Sequence, residues 1–374
     1  MASHFFFFGC WNRDNCEENK DYRKGVFDTI TPIAHQYHFG VIAGDNVYPH
    51  EKKYYKKTLD YGFQLLENVR EKTISKQVYA TIGNHDVDRK SILEYQVNKH
   101  HTGNIYMPHN IYLKRVSPYL RLLILDTNFF TRKHPIMYQP SPNQNGEIKV
   151  PKNLERFFAR KTKAGTLAYV KELLHEEKDF RGWTVVVGHE PLISIKPKQK
   201  SRGIINKLTS LDNYEELLSI LASHKKTVYM SADVHTFQAW NIPWKGKNVP
   251  MIVAGTGGGE PDINLPMGGD YKTEEGHQMH LVASEHPYGY CEVKCTKETF
   301  MVDYKPLEGC SSHQKEVVLV YDERTQELRI VSTKETPKTT RCQAPPVEQK
   351  LCIIDPSKEM LGGSRQKRNK QHLR

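Results

Sequence analysis

No apolar run in this chain approaches the roughly 20 residues that a helix needs to cross a bilayer, so a helical membrane span is excluded. The longest aromatic run near the start is only Phe5–Phe8, and no positively charged segment precedes it. No secretion signal is therefore read, and a cytoplasmic location is expected. Cysteine is sparse and irregular: Cys10, Cys16, Cys291, Cys295, Cys310, Cys342 and Cys352, an odd seven. That pattern predicts reduced thiols rather than a disulfide framework. Cys291 and Cys295 stand four apart, but no second Cys/His pair follows at finger spacing, which argues against a structural zinc site. Internal repeats are absent. Acidic residues are the minority charge, 43 against 54 Lys and Arg, for a net +11 over 374 residues. The excess suits an anionic partner such as a phosphorylated small molecule, a nucleotide or nucleic acid; it is equally compatible with plain solubility.

What is present is a globular composition, 38% hydrophobic and 26% charged, long enough for a sizeable core. Short buried-type runs predict strands at Phe5–Phe8, Phe39–Ala43, Gln77–Ile82, Tyr112–Val116, Arg121–Asp126, Trp183–Gly188 and Thr227–Ser231. Helical patterns fall between them near Tyr22–His38, Lys52–Arg70, Leu167–Glu177 and Asn213–His224. This alternation predicts an α/β core. From Met251–Ala254 onward the segments Tyr288–Cys295, Thr299–Tyr304, Glu316–Tyr321 and Glu327–Val331 read as consecutive strands that extend a sheet. Long loops are expected over Lys133–Lys152 and Gly257–His280. One domain over residues 1–335 is expected, followed by a basic, disordered tail over 336–374 that offers at most weak contact with polyanions.

Four motifs each follow a predicted strand: Gly44-Asp45-Asn46-Val47-Tyr48, Gly83-Asn84-His85-Asp86, Gly188-His189-Glu190-Pro191 and Ala232-Asp233-Val234-His235. In open α/β sheets ligands gather beyond the carboxyl ends of strands, so one crevice can collect these groups. Glycine before Asp45, Asn84 and His189 permits a sharp exit from the strand. A carboxylate able to bridge two cations, with imidazoles and an amide oxygen around it, suits metal-assisted hydrolysis at phosphorus. Mixed oxygen and nitrogen donors favour Fe, Mn or Zn over Ca. Each motif alone is compatible with an ordinary turn or a satisfied core histidine. Together, at successive strand ends, they point to one site.

These residues resemble the calcineurin-like metallophosphoesterases, and among them the purple acid phosphatases, whose Gly-Asp-Asn-x-Tyr motif matches Asp45 and Tyr48. Leu125-Asp126-Thr127 and Ala254-Gly255-Thr256-Gly257-Gly258 fit the same order, so the likeness spans about residues 5–305. The resemblance implies a four-layer α/β/β/α sandwich, two mixed β-sheets flanked by helices. It implies two metal ions: Asp45 bridging, Tyr48 and His235 on the first, Asn84 and His189 on the second. His85 would donate to the phosphate or protonate the leaving oxygen, with Asn84 also facing substrate.

Three departures stand out. Where the family places a carboxylate after strand one, this chain has Cys10; a thiolate also ligates Zn or Fe, although a buried structural cysteine is an equal reading. Asp14 could substitute if its loop folded back. Asp233 replaces a second-metal histidine and favours harder cations. A substrate-side histidine is missing from Ile193-Ser194-Ile195-Lys196-Pro197-Lys198, where Lys196 or Lys198 could neutralise phosphate unless the run is merely solvated. The expected function is hydrolysis of phosphate mono- or diesters at a dinuclear centre. The alternative is a degenerate member that binds without turnover.

Overall fold

The computed structural model describes residues 2–13, 21–48, 55–101, 103, 105–130, 150, 152–200, 203–211, 214–259, 262, 268–285, 288–308 and 315–335. The expected tail, Asp14 and nearly all of the Lys133–Lys152 loop lie outside them. In chain order the strands are β1 (Ser3–Phe8), β2 (Phe39–Ala43), β3 (Val78–Thr81), β4 (Ile111–Ser117), β5 (Leu120–Leu125), β6 (Trp183–Val187), β7 (Ile193–Lys200), β8 (Gly203–Ser210) and β9 (Thr227–Ser231). They continue as β10 (Phe237–Trp244), β11 (Lys247–Ala254), β12 (Gly269–Lys272), β13 (Gln278–Glu285), β14 (Gly289–Cys295), β15 (Phe300–Pro306), β16 (Lys315–Asp322) and β17 (Glu327–Glu335). The helices are α1 (Tyr22–Ile30), α2 (Tyr55–Arg70), α3 (Lys90–His101), α4 (Lys163–Glu176) and α5 (Tyr214–Ala222).

One sheet has the order β17-β16-β15-β14-β1-β2-β3 and the other β12-β13-β10-β11-β9-β6-β5-β4. Both are mixed. In the first, β1, β2 and β3 run parallel while β14 pairs antiparallel with β1. In the second, β5, β6, β9 and β11 run parallel, with antiparallel strands on either side. The ribbon β7-β8 stands apart as a two-stranded unit.

The four phenylalanines of β1 show why buried strands read as unbroken apolar runs. Side chains alternate across a strand. Phe5 and Phe7 enter the core between the sheets with Val41, Trp183, Val185, Val187, Met230 and Tyr304. Phe6 and Phe8 enter a second core with Val26, Phe27, Leu59 and Phe63 of the helices. All four are fully buried, each contributing about 1.5–3 kcal/mol relative to exposure. A sheet covered on both faces cannot show a polar alternation. β6 repeats the logic, with Val185 and Val187 inward and Val186 toward the helical side. The two mixed sheets and their helices form the expected metallophosphoesterase sandwich.

Local chemistry sets several boundaries. Asp21 caps α1 by accepting from the Lys24 amide at 3.0 Å. The helix expected to reach His38 stops at Ile30 and tightens into a 3-10 turn over Thr31–Gln36. Pro32 has no N–H with which to continue the ladder. The loop expected through His280 instead contains β12 and the start of β13. There Met279, Leu281 and Ala283 alternate inward, a period-2 signal that the preceding glycine-rich stretch obscures.

Candidate metal centre

The parallel strands deliver their carboxyl ends to one place. Cys10 follows β1, Asp45 follows β2, Asn84 and His85 follow β3, His189 follows β6, and Asp233 and His235 follow β9. Three of these leave their strands in the left-handed region: Cys10 at φ 52°, Asp45 at 50° and Asp233 at 57°. Such backbone costs of order 1–3 kcal/mol per residue and persists where the surroundings demand it. That a cysteine shares this conformation with two carboxylates aligns Cys10 with the site.

Asp45 lies at the centre. Its Oδ1 accepts the His85 amide at 3.1 Å and stands 3.3 Å from His189 Nε2; its Oδ2 lies 4.0 Å from Cys10 Sγ. Cys10, Asp45 and His189 are buried and offer ligand atoms within 4.8 Å of one another. The Tyr48 hydroxyl lies 3.0 Å from His235 Nε2 and favours the ionised forms of Cys10 and Asp45. His235 is itself held through its backbone by Asp262, whose carboxylate accepts the His235 amide at 2.9 Å. The His85 ring packs 4.7 Å from that of Tyr48, centroid to centroid, and its Nδ1 pairs with Asp88 at 3.1 Å. Asn84, His85, Asp233, His235 and Lys196 are half-buried, so the cluster has a dry floor and a solvent-facing rim.

His189 tests whether these residues suit a cation. Its Nδ1 donates to the Ala43 carbonyl at 2.7 Å, which leaves Nε2 bare in the neutral ring. That nitrogen faces Asn84 Oδ1 at 3.1 Å, Asp45 Oδ1 at 3.3 Å and Asp233 Oδ1 at 3.8 Å. Four acceptors thus converge, and either a proton or a cation must sit among them. Burial disfavours the charged ring, but Asp45 and Asp233 outweigh it and push the His189 pKa up to about 10. Burial likewise opposes ionisation of Asp45, yet His189 beside it holds its carboxyl well below the usual range. Burial, then the Asp45 charge, pushes the Cys10 thiol well up, so in the absence of a cation it keeps its proton. Donors of this kind, crowded and mutually repelling, fit cations that displace those protons.

The glycines before the ligands are obligatory for approach. A Cβ on Gly83 would strike Asp45 Oδ1, the Asp45 amide and the His189 ring. Gly44 turns at φ 79°, beside Gly83 and the His189 ring.

The sequence motifs contain Asn46 and Asp86 but assign no role to these bracing residues, and Gln238 lies outside them. Asp86 is fully buried and accepts the Gly83 amide at 2.7 Å, the Asn46 amide at 2.9 Å, Gln96 Nε2 at 2.9 Å and Asn46 Nδ2 at 3.2 Å. It therefore clasps the Asp45 loop to the Asn84 loop. Burial and the Asp45 charge push its carboxyl up to about 7, against the Gly83 amide, Gln96 and the His189 charge, which favour its ionised form. Asn46 extends the clasp to the first strand's loop: its Oδ1 accepts Trp11 Nε1 at 3.0 Å, and its carbonyl accepts Asn12 Nδ2 at 2.8 Å. Gln238 on β10 holds the other side, bonding the Ile195 amide at 3.2 Å and the Ile195 carbonyl at 2.9 Å. The following residue, Lys196, lies in strand β7 rather than in a merely solvated run, and its ammonium pairs with Asp233. Glu190 lies near the same side; burial and Asp233 push its carboxyl up to about 8. Cys291 and Cys295 lie buried within β14, away from this cluster.

Residues 3–237 match the family model described as calcineurin-like phosphoesterase. With more than half of its length matched, the chain belongs to the calcineurin-like phosphoesterase family. A search of curated protein sequences finds no match. Among solved structures the chain is similar to PhoD, with a TM-score of 0.55, 14% identity, and coverage of 93% of this chain and 74% of that one. It is also similar to a purple acid phosphatase isolated from yellow lupin (Lupinus luteus) seeds, with a TM-score of 0.53, 11% identity, and coverage of 83% and 52%. The chain thus spans about half the length of the lupin protein. At these identities the likeness is one of fold. Among the described residues no helix is long and apolar enough to cross a membrane.

Proposed function

We propose that this chain is a metal-dependent phosphoesterase that hydrolyses phosphate esters at a dinuclear centre. The observation that carries the reading is the convergence of Asn84, Asp45 and Asp233 oxygens on Nε2 of His189. In this reading Asp45 would serve both cations, Cys10, Tyr48 and His235 would hold the first, and Asn84, His189 and Asp233 would hold the second. The oxygen, nitrogen and sulfur donors suit Fe, Mn or Zn. Cations held in such a set lower the pKa of water and offset charge at phosphorus.

The remaining chemistry belongs to the chain. Asp88 fixes the His85 ring through Nδ1 and leaves Nε2 to give a proton to the departing oxygen. Burial disfavours the charged form of His85, but Asp88 and Asp45 raise its pKa overall, which keeps the acid form available near neutrality. Asn84 orients the phosphate from the rim. Lys196 supplies a positive charge there once it leaves Asp233. The buried free thiols Cys10, Cys291 and Cys295 support a reducing, cytoplasmic setting. The basic tail is read as a weak polyanion contact beside a phosphorylated small-molecule or nucleotide substrate.

The test is turnover of 4-nitrophenyl phosphate and of bis(4-nitrophenyl) phosphate by protein loaded with Mn, Zn or Fe. Hydrolysis of either ester that vanishes with chelation and in Asp45→Asn supports the reading, and the preferred ester separates mono- from diesterase. A folded chain that binds no cation and turns over neither ester overturns it in favour of a binding module.

A further inference from the structure

We propose that Lys196 is a built-in competitor for the second cation, its ammonium occupying a ligand that this cation needs. The inference rests on the two-cation reading above and deepens it. Lys196 Nζ pairs with Asp233 Oδ2, while Asp233 Oδ1 faces His189 Nε2 at 3.8 Å. One carboxylate is therefore shared between a protein cation and the ring that would ligate a metal.

The pairing is built into the fold. Ile193 and Ile195, on either side of the preceding serine, are buried, so β7 cannot slide or flip without exposing them. Gln238 grips the backbone of Ile195 at both its amide and its carbonyl. Gln238 is in turn held by Trp240 Nε1 at 3.0 Å and by Thr236 Oγ1 at 3.1 Å. The Cα of Lys196 is thus fixed next to a braced residue, with its chain aimed at Asp233.

Charge balance points the same way. Asp233, Glu190 and Asp262 are the carboxylates that act on Lys196, with Asp45 acting on Asp233, and the basic groups facing them are Lys196, His189 and His85. A divalent ion at the second position must enter beside an ammonium and separate it from Asp233. Like charges a few ångströms apart at a part-buried site weaken binding roughly tenfold or more. The two positions should therefore fill in sequence, with Lys196 setting much of the gap.

The experiment is calorimetric titration of chelator-stripped full-length protein with Mn²⁺, with metal content read independently by mass spectrometry. Wild type should bind a first ion tightly and a second at least tenfold more weakly. Lys196→Met, similar in shape but uncharged, should narrow that gap by roughly tenfold or more. Lys196→Arg, which keeps the cation, should preserve it. Melting curves with Mn²⁺ present verify that both variants fold. A gap in Lys196→Met equal to that of wild type overturns the proposal, as do two equal tight steps in wild type. Binding of no ion at all overturns the two-cation reading itself, an outcome distinct from either.

Discussion

Replacing Asp86 with alanine should be among the most damaging single changes outside the proposed ligands. The carboxylate accepts four donors, of which Asn46 Nδ2 also reaches the Thr81 carbonyl at 3.1 Å and Gln96 Oε1 at 3.0 Å. The amides of Gly83 and Asn46 and the Gln96 side chain depend on Asp86. Each buried donor left without a partner costs about 1–3 kcal/mol, so three give about 3–9 kcal/mol. Relief of repulsion with Asp45 and entry of a water offset part of this, leaving an expected loss of about 3–5 kcal/mol. That is a large share of the about 5–15 kcal/mol that holds a typical protein folded. Asp86→Asn keeps one acceptor oxygen but turns an amide NH₂ toward other donors, so roughly half that loss is expected. Urea unfolding of the metal-free chain measures both, and metal titration should show weaker cation binding because the clasp aligns the Asp45 and Asn84 loops. A loss below about 1 kcal/mol in Asp86→Ala would refute the clasp, since that is the size of a single solvent-compensated hydrogen bond.

Other consequences follow from the same geometry. The folded pKa of His189 is raised above its unfolded value of about 6.5, so its contribution to metal-free stability is complete below that pH and disappears as pH rises through about 10. Melting temperatures in chelator should fall across that window, and cations should abolish the dependence; a flat profile would contradict the charge assignment. Gly83→Ala places a methyl against Asp45 and His189 and should lower cation affinity at least about a hundredfold, read by calorimetry, while the sandwich still folds. Gln238→Leu strands the Ile195 amide and carbonyl and should cost about 2–4 kcal/mol in urea unfolding. Cys10→Ala should weaken the first, tight step of metal titration and leave the melting temperature of the metal-free chain within a few degrees.

The sandwich was largely legible because doubly buried strands announce themselves as apolar runs. Phe5–Phe8 and Trp183–Val187 could be read without knowing which face each residue served. β10 escaped notice because Phe237–Trp244 mixes buried polar groups, Gln238 and Asn241, with Pro243, which by rule argues against a strand interior. Pro243 is tolerated opposite Asn248, next to the hairpin turn. Within the site, the ligand-type residues were legible because each follows a strand and a small residue. The bracing residues were not. Asp86 differs from Asp45 only in what tertiary structure places around it, and no local pattern tells a ligand from a clasp. Lys196 was visible as a charge, but its partner Asp233 is 37 residues away and arrives from another sheet. Periodicity carries no information about such a pairing.

The central claim, that these strand ends assemble a two-cation hydrolytic centre, is tested most directly by anomalous diffraction at the metal edge from crystals of the metal-loaded chain. Two peaks sharing Asp45 are expected, one bounded by Cys10, Tyr48 and His235 and the other by Asn84, His189 and Asp233. Peaks elsewhere on the molecule, or none at this cluster under saturating metal, would contradict it.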